Sequence, residues 1–189
     1  MVWSIENIKW LVILLFAFFL ASRLLFLDSD PSIFKRIGDL VDEGYWAHEA
    51  RTKVLFDEWI TDDFHQGIAV SPLYTFIVYL IMNLFGVGFI QVRLLSATTG
   101  FLSIVLIYLI TKKHLGFKTG VVAVLLLGLH NTFFTFNRLG FLDTSSLFLL
   151  LFSVYFFINF SSNVFFFISG IVFFFSIMSK LNLLYILPV

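Results

Sequence analysis

Cysteine is absent from the 189 residues, and charge is scarce, at 13%. The first absence excludes disulfides, thiolate zinc sites and a cysteine nucleophile. The second excludes an ordinary soluble domain. With 60% hydrophobic and 20% aromatic residues and a mean hydropathy of +0.99, too little polar side chain remains to cover a water-facing surface. Acids are scarcer still in the second half. Ten of the twelve fall between positions 28 and 63, and after Asp63 the chain carries one, Asp143. A charge within a membrane segment costs about 2.5–3.5 kcal/mol at the helix centre, so an isolated survivor is a functional candidate.

What is present in abundance is apolar sequence, including 27 Phe and uncharged runs such as Leu11–Leu20 and Val121–Leu129. This predicts an all-α, polytopic integral membrane protein, read as one transmembrane module over 1–189. About five spans are expected. The first, Ile8–Leu27, is too long for a signal-peptide core and lacks a good cleavage site. The others are Leu94–Thr111, Thr119–Phe136, Phe141–Asn159 and Val164–Met178. Lys112-Lys113-His114, Asn137-Arg138 and Ser161-Ser162-Asn163 mark the junctions.

Between the first span and the rest, residues 29–92 form a loop with helices expected near 42–58 and 72–85. Pro72 suits a first helical turn, and Gly86 and Gly88 suit its end. At 14 residues the segment 72–85 rises about 21 Å, short of a hydrocarbon core of about 30 Å, and reads as re-entrant or interfacial. This decides the topology. Lys112, Lys113 and Lys118 mark a cytoplasmic loop, and Lys9 places the N-terminus on the same side. Both hold only if 72–85 does not cross. The acidic loop and Asp143 then share the extracytoplasmic face.

Within the loop, Trp46, Ala50 and Val54 recur at helical spacing, with Tyr45 and Trp59 as interfacial aromatics. The plain reading is a capped helix on the membrane with solvated charges. The sharper one joins Asp42 and Glu43 to Asp143 and Arg138. Carboxylates beside an arginine suit deprotonation of an attacking hydroxyl or coordination of a metal, and arginine binds phosphate bidentately. A simple Arg138–Asp143 ion pair stays open as an alternative. His48 and His65 are candidate substrate- or phosphate-binding residues, although a lone loop histidine is more often just solvated. His114 lies among lysines on the expected cytoplasmic side. The sequon Asn159-Phe160-Ser161 falls at a cytoplasmic membrane edge and carries no weight.

In order, the anchor, Asp42-Glu43-Gly44-Tyr45-Trp46, the Pro-led helix, Arg93-Leu94-Leu95-Ser96-Ala97 and Asn137-Arg138-Leu139-Gly140-Phe141-Leu142-Asp143-Thr144 resemble the amino-terminal module of GT-C glycosyltransferases. The Asp-Glu pair is similar to that of protein O-mannosyltransferases and of the aminoarabinose transferase acting on lipid A. The Gly-Phe-Leu-Asp-Thr stretch is similar to an acidic loop of oligosaccharyltransferase catalytic subunits, although Ser145 stands where those carry a further acid.

The resemblance implies transfer of a sugar from a polyprenyl- or dolichyl-phosphate donor to a protein, lipid or glycan acceptor on the extracytoplasmic face, with no nucleic acid involved. It implies Asp42 as principal catalytic carboxylate, Glu43 in support, Asp143 as second acid and Arg138 as phosphate or acid partner. Asp42 and Asp143 are also a candidate divalent-metal pair. The setting expected is a prokaryotic plasma membrane, or the endoplasmic reticulum membrane in a eukaryote. Because such enzymes run to several hundred residues, the chain is expected to be the amino-terminal part of a longer one. The alternatives of another class are a transporter or channel fragment with Arg138 and Asp143 lining its pathway, and a non-catalytic membrane subunit.

Overall fold

A computed structural model of the chain describes residues 5–30, 42–60 and 67–186. These form helices joined by short connections, without strands: α1 Ile5–Leu24, α2 Asp42–Phe56, α3 Gly67–Val70, α4 Pro72–Phe85, α5 Phe89–Leu115, α6 Phe117–Leu129, α7 Asn131–Arg138, α8 Leu142–Asn159 and α9 Asn163–Ser179, then a 3₁₀ turn Leu181–Ile186. Among them α5 and α8 are long and apolar enough to cross a membrane, and α6 with α7 makes a third if the bent pair is one span. The apolar α4 and α9 are shorter.

The distribution of side chains is that of a protein in lipid. Serine and threonine fill the interior: Ser96, Ser103, Ser153, Ser169 and Ser176 are buried, while Leu84 is 74% and Phe167 71% exposed. Water would oppose that arrangement, whereas in a bilayer small residues let helices approach and hydroxyls bond across them. The α8–α9 hairpin shows it directly. Ser153 Oγ donates to the Ser169 carbonyl and Ser169 Oγ to that of Ser153, each at 2.9 Å. Near the connection Phe160 stacks on Phe165, with centroids 4.2 Å apart.

Local chemistry sets the helix ends. Pro72 opens α4 at its first turn, and Gly86 at φ 87° closes it, on the expected boundaries. Gly116, at φ 92°, ends α5. Lys112, Lys113 and His114 therefore sit in the last turn of α5, not in the junction expected there. They favour that position because cations complement the carbonyl end of a helix.

The expected span Thr119–Phe136 is corrected more substantially. It breaks between α6 and α7 with a bend of 64°. His130 leaves helical geometry, and its ring accepts the Phe133 amide at 3.3 Å, capping α7. A carbonyl near the break is covered by an arginine from α1: buried Arg23 donates to Gly128 O at 2.9 Å, and also to Phe19 O of its own helix at 3.1 Å. A side chain at Gly128 would meet the Phe19 ring at 2.4 Å, so only glycine admits this crossing.

Two apolar clusters hold the bundle, with α5 in both. One joins Ala47 and Ala50 of α2, Tyr74, Val78 and Met82 of α4, Val92 and Leu95 of α5, and Leu142 of α8. The other joins Phe19, Ile104, Tyr108 and Val124. Trp46 and Val54 pack against the first, as their spacing with Ala50 predicted. The helix does not simply lie on the membrane with its charges solvated, however. Glu43 and Glu49 are each 1% exposed.

Candidate functional site

The segment 139–143, between α7 and α8, is held by side chains from three other helices. Gly140 N–H donates to Glu43 Oε1 at 3.2 Å. Tyr74 donates its hydroxyl to Gly140 O at 2.8 Å, and Ser96 to Phe141 O at 3.0 Å. A Cβ at Gly140 would meet Val92 Cγ1 at 2.5 Å, which explains the glycine in Leu139-Gly140-Phe141. The start of α2 and the Asp143 segment thus meet, although about 100 residues separate them.

Glu43 is anchored on its other side by Arg93. The guanidinium donates from Nε to Oε1 at 2.6 Å and from Nη2 to Oε2 at 3.0 Å, while Nη1 reaches Leu27 O at 2.6 Å and Asp30 O at 3.0 Å. Both side chains are buried. A planar fork matched to a carboxylate in this way fixes α2, α5 and the end of the α1 connection to one another. Sequence reasoning quoted Arg93 only within a motif. The signal was there, since a lone base in apolar sequence is as costly as a lone acid.

Asp143 stands in the first turn of α8, where the helix dipole favours a negative charge, and is ion-paired with Lys180 at the carbonyl end of α9. Asp143 is 39% exposed and lines two cavities, each of about 360 Å³. His130, Thr132 and Thr144 also face the first. Trp46, Lys180 and Asn182 face the second, and Phe136 borders both. Lys180 and His130 were not among the expected site residues.

Of the expected ones, Asp42 opens α2 with its side chain outside the described residues. Position 42 lies one turn before Trp46, which lines the second cavity. His65 also lies outside the described residues. His48 lines a separate cavity.

The simple Arg138–Asp143 ion pair is corrected: Arg138 does not pair with Asp143. It donates from Nε to Asp30 Oδ2 at 2.7 Å and from its two Nη atoms to Ser22 O at 2.6 Å, Leu25 O at 2.9 Å and Phe26 O at 3.1 Å. The carbonyl end of α1 takes up the fork because its last carbonyls have no intrahelical donors. The expected metal pair includes Asp42, whose side chain lies outside the described residues. Among the described residues no three His, Cys, Asp or Glu cluster, and Asp143 already faces an ammonium.

Residues 69–189 match the family model described as dolichyl-phosphate-mannose-protein mannosyltransferase. The chain belongs to this family. No curated protein and no solved structure gives a significant match. The mannosyltransferase family agrees with the GT-C resemblance and makes the chain a membrane glycosyltransferase by kinship. The matched residues include Arg93, Arg138, Asp143 and Lys180, whereas Asp42-Glu43 precedes them.

Proposed function

We propose that this module transfers a mannosyl or related sugar from a polyprenyl- or dolichyl-phosphate donor to a hydroxyl acceptor on the extracytoplasmic face, with Asp42 and Asp143 as its working acids. The observation that carries the reading is the place of Asp143 where two cavities meet, beside a cation and an indole. One carboxylate can there face groups bound on either side. Asp42 takes the proton as the acceptor oxygen forms its bond to the anomeric carbon. The carbon–oxygen bond to the lipid phosphate breaks, and the phosphate leaves with the electron pair and inversion at carbon. Lys180 is placed to meet the charge that builds on that phosphate, and the Trp46 ring gives a sugar an apolar face to rest on. Glu43 acts from behind, holding α2 against the segment that bears Asp143.

The transporter reading needs Arg138 and Asp143 on one pathway. Arg138 borders neither of the two cavities of Asp143, and its nitrogens are engaged at α1.

The test is sugar transfer from dolichyl-phosphate-mannose in membranes carrying the native protein or its Asp42→Asn or Asp143→Asn variant. Each variant should insert normally and lose transfer by about 100-fold or more, the usual contribution of a positioned acid or base. Unchanged rates in both would overturn the assignment and favour a non-catalytic subunit.

A further inference from the structure

A third cavity, of about 250 Å³, shares no lining residue with the two at Asp143. One wall is a stripe of α2: Gly44, Ala47, His48 and Arg51, the spacing that places residues on a single helix face. Phe89 and Val92, at the start of α5, form much of the other wall.

α2 sorts its charges by face. Its acids Glu43 and Glu49 turn to protein partners, Arg93 and the Gly67 amide, while His48 and Arg51 turn to the cavity. Among the described residues no carboxylate lines the cavity, and Arg51 has no ion-pair or hydrogen-bond partner. The cavity also meets the first turn of α5, where Gly88 supplies no side-chain cap. The amides and dipole of that turn add to the positive potential. A solvent-accessible cation, a helix start and apolar side chains in one open cleft suit an anion attached to hydrocarbon.

We propose that this cavity binds the phosphate of an anionic bilayer phospholipid, with the first methylenes of the lipid against Ala47, Phe89 and Val92. Arg51 is the phosphate ligand, and the bound lipid ties α2 to the start of α5. Phosphate recognition follows from the charge pattern alone. That the occupant is not the sugar donor rests on the reading above, which places the donor phosphate beside Asp143 in a different cavity.

The full chain, purified in detergent, is titrated in native mass spectrometry with phosphatidylglycerol, with diacylglycerol of the same chains, and with a polyprenyl phosphate. One phosphatidylglycerol should be retained and diacylglycerol not. Arg51→Gln should weaken retention at least tenfold, and Arg51→Lys should restore most of it. Gly44→Leu should also abolish it, since a side chain at Gly44 meets no atom within 4 Å and would enter the cavity. Should Gly44→Leu fail to accumulate, the Arg51 pair decides. Equal retention of diacylglycerol, or unchanged phosphatidylglycerol affinity in Arg51→Gln, overturns the site. Displacement of phosphatidylglycerol by polyprenyl phosphate, lost in Arg51→Gln, overturns the bilayer lipid as occupant and moves the donor here. The transfer assay of Asp143→Asn tests the catalytic reading separately.

Discussion

Glu43 and Asp143 are both acids in apolar surroundings, both paired with a base, and they differ in almost everything else. Glu43 is sealed: its partner Arg93 holds both oxygens, a backbone amide takes what remains, and 1% of the residue is exposed. Asp143 has Lys180 as its ion-pair partner among the described residues and faces two cavities. An acid whose acceptors are all engaged organises structure. One that keeps open space around it is available for chemistry.

The contrast breaks most sharply under neutral isosteres. Arg93→Met leaves Glu43 buried and uncompensated, which should cost about 3–5 kcal/mol of stability. Asp143→Asn leaves a partly exposed lysine and should cost about 0–1 kcal/mol. The order should reverse for transfer measured per folded molecule, where Asp143→Asn is the severe variant. Thermal unfolding in detergent, paired with rates normalised to folded protein, checks both. A stable, inactive Arg93→Met would show that the sealed pair, too, takes part in chemistry.

Arg138 sharpens the comparison as a cation in the same sequence motif whose partners are Asp30 and the carbonyl end of α1. Arg138→Ala exposes the carbonyl end of α1 and strands Asp30, and charge-assisted bonds of this kind contribute about 1.5–3 kcal/mol each at most sites. A total loss of about 2–3 kcal/mol is expected, because the half-exposed Asp30 regains water. The Michaelis constant for the lipid donor should stay within about twofold of the wild type. A rise well beyond that would return Arg138 to the phosphate.

How legible each part was depends on the range of the interaction behind it. The bounds of α4 were readable because Pro72 and Gly86 act on their own backbone. The isolation of Asp143 was readable because a lone acid in apolar sequence is a local property. The burial of Glu43 was not, since its partner Arg93 lies 50 positions away and only the fold joins them. Arg138 misled for the same reason: five residues from Asp143 in sequence, it turns to α1. The break in Thr119–Phe136 had a signal in His130-Asn131-Thr132, three polar residues inside an apolar run. Its physical cause, a histidine cap backed by an arginine from another helix, becomes visible only in three dimensions.

The smallest effect expected is also the control. Asp57, at the end of α2, is paired with Lys53 at 2.5 Å as Asp143 is with Lys180, but it is 92% exposed and lines none of the three cavities. The hydrogen bond from Lys53, then the charge of that lysine, hold the Asp57 carboxyl below the usual carboxylate range. Its pairing therefore adds stability above that range, and the contribution fades as pH falls through the lowered value. Solvent screens so exposed a pair, and the contribution should be close to the limit of measurement. Asp57→Asn isolates the charge cleanly, because residue 57 sits at φ 59° and asparagine accepts that left-handed conformation as readily as aspartate. Unfolding curves of wild type and variant should coincide in acid and stay nearly so at neutral pH, with transfer unchanged. If Asp57→Asn impaired transfer as Asp143→Asn does, losing an acid–lysine pair remote from the cavities would be as damaging, and the cavities at Asp143 would lose their significance.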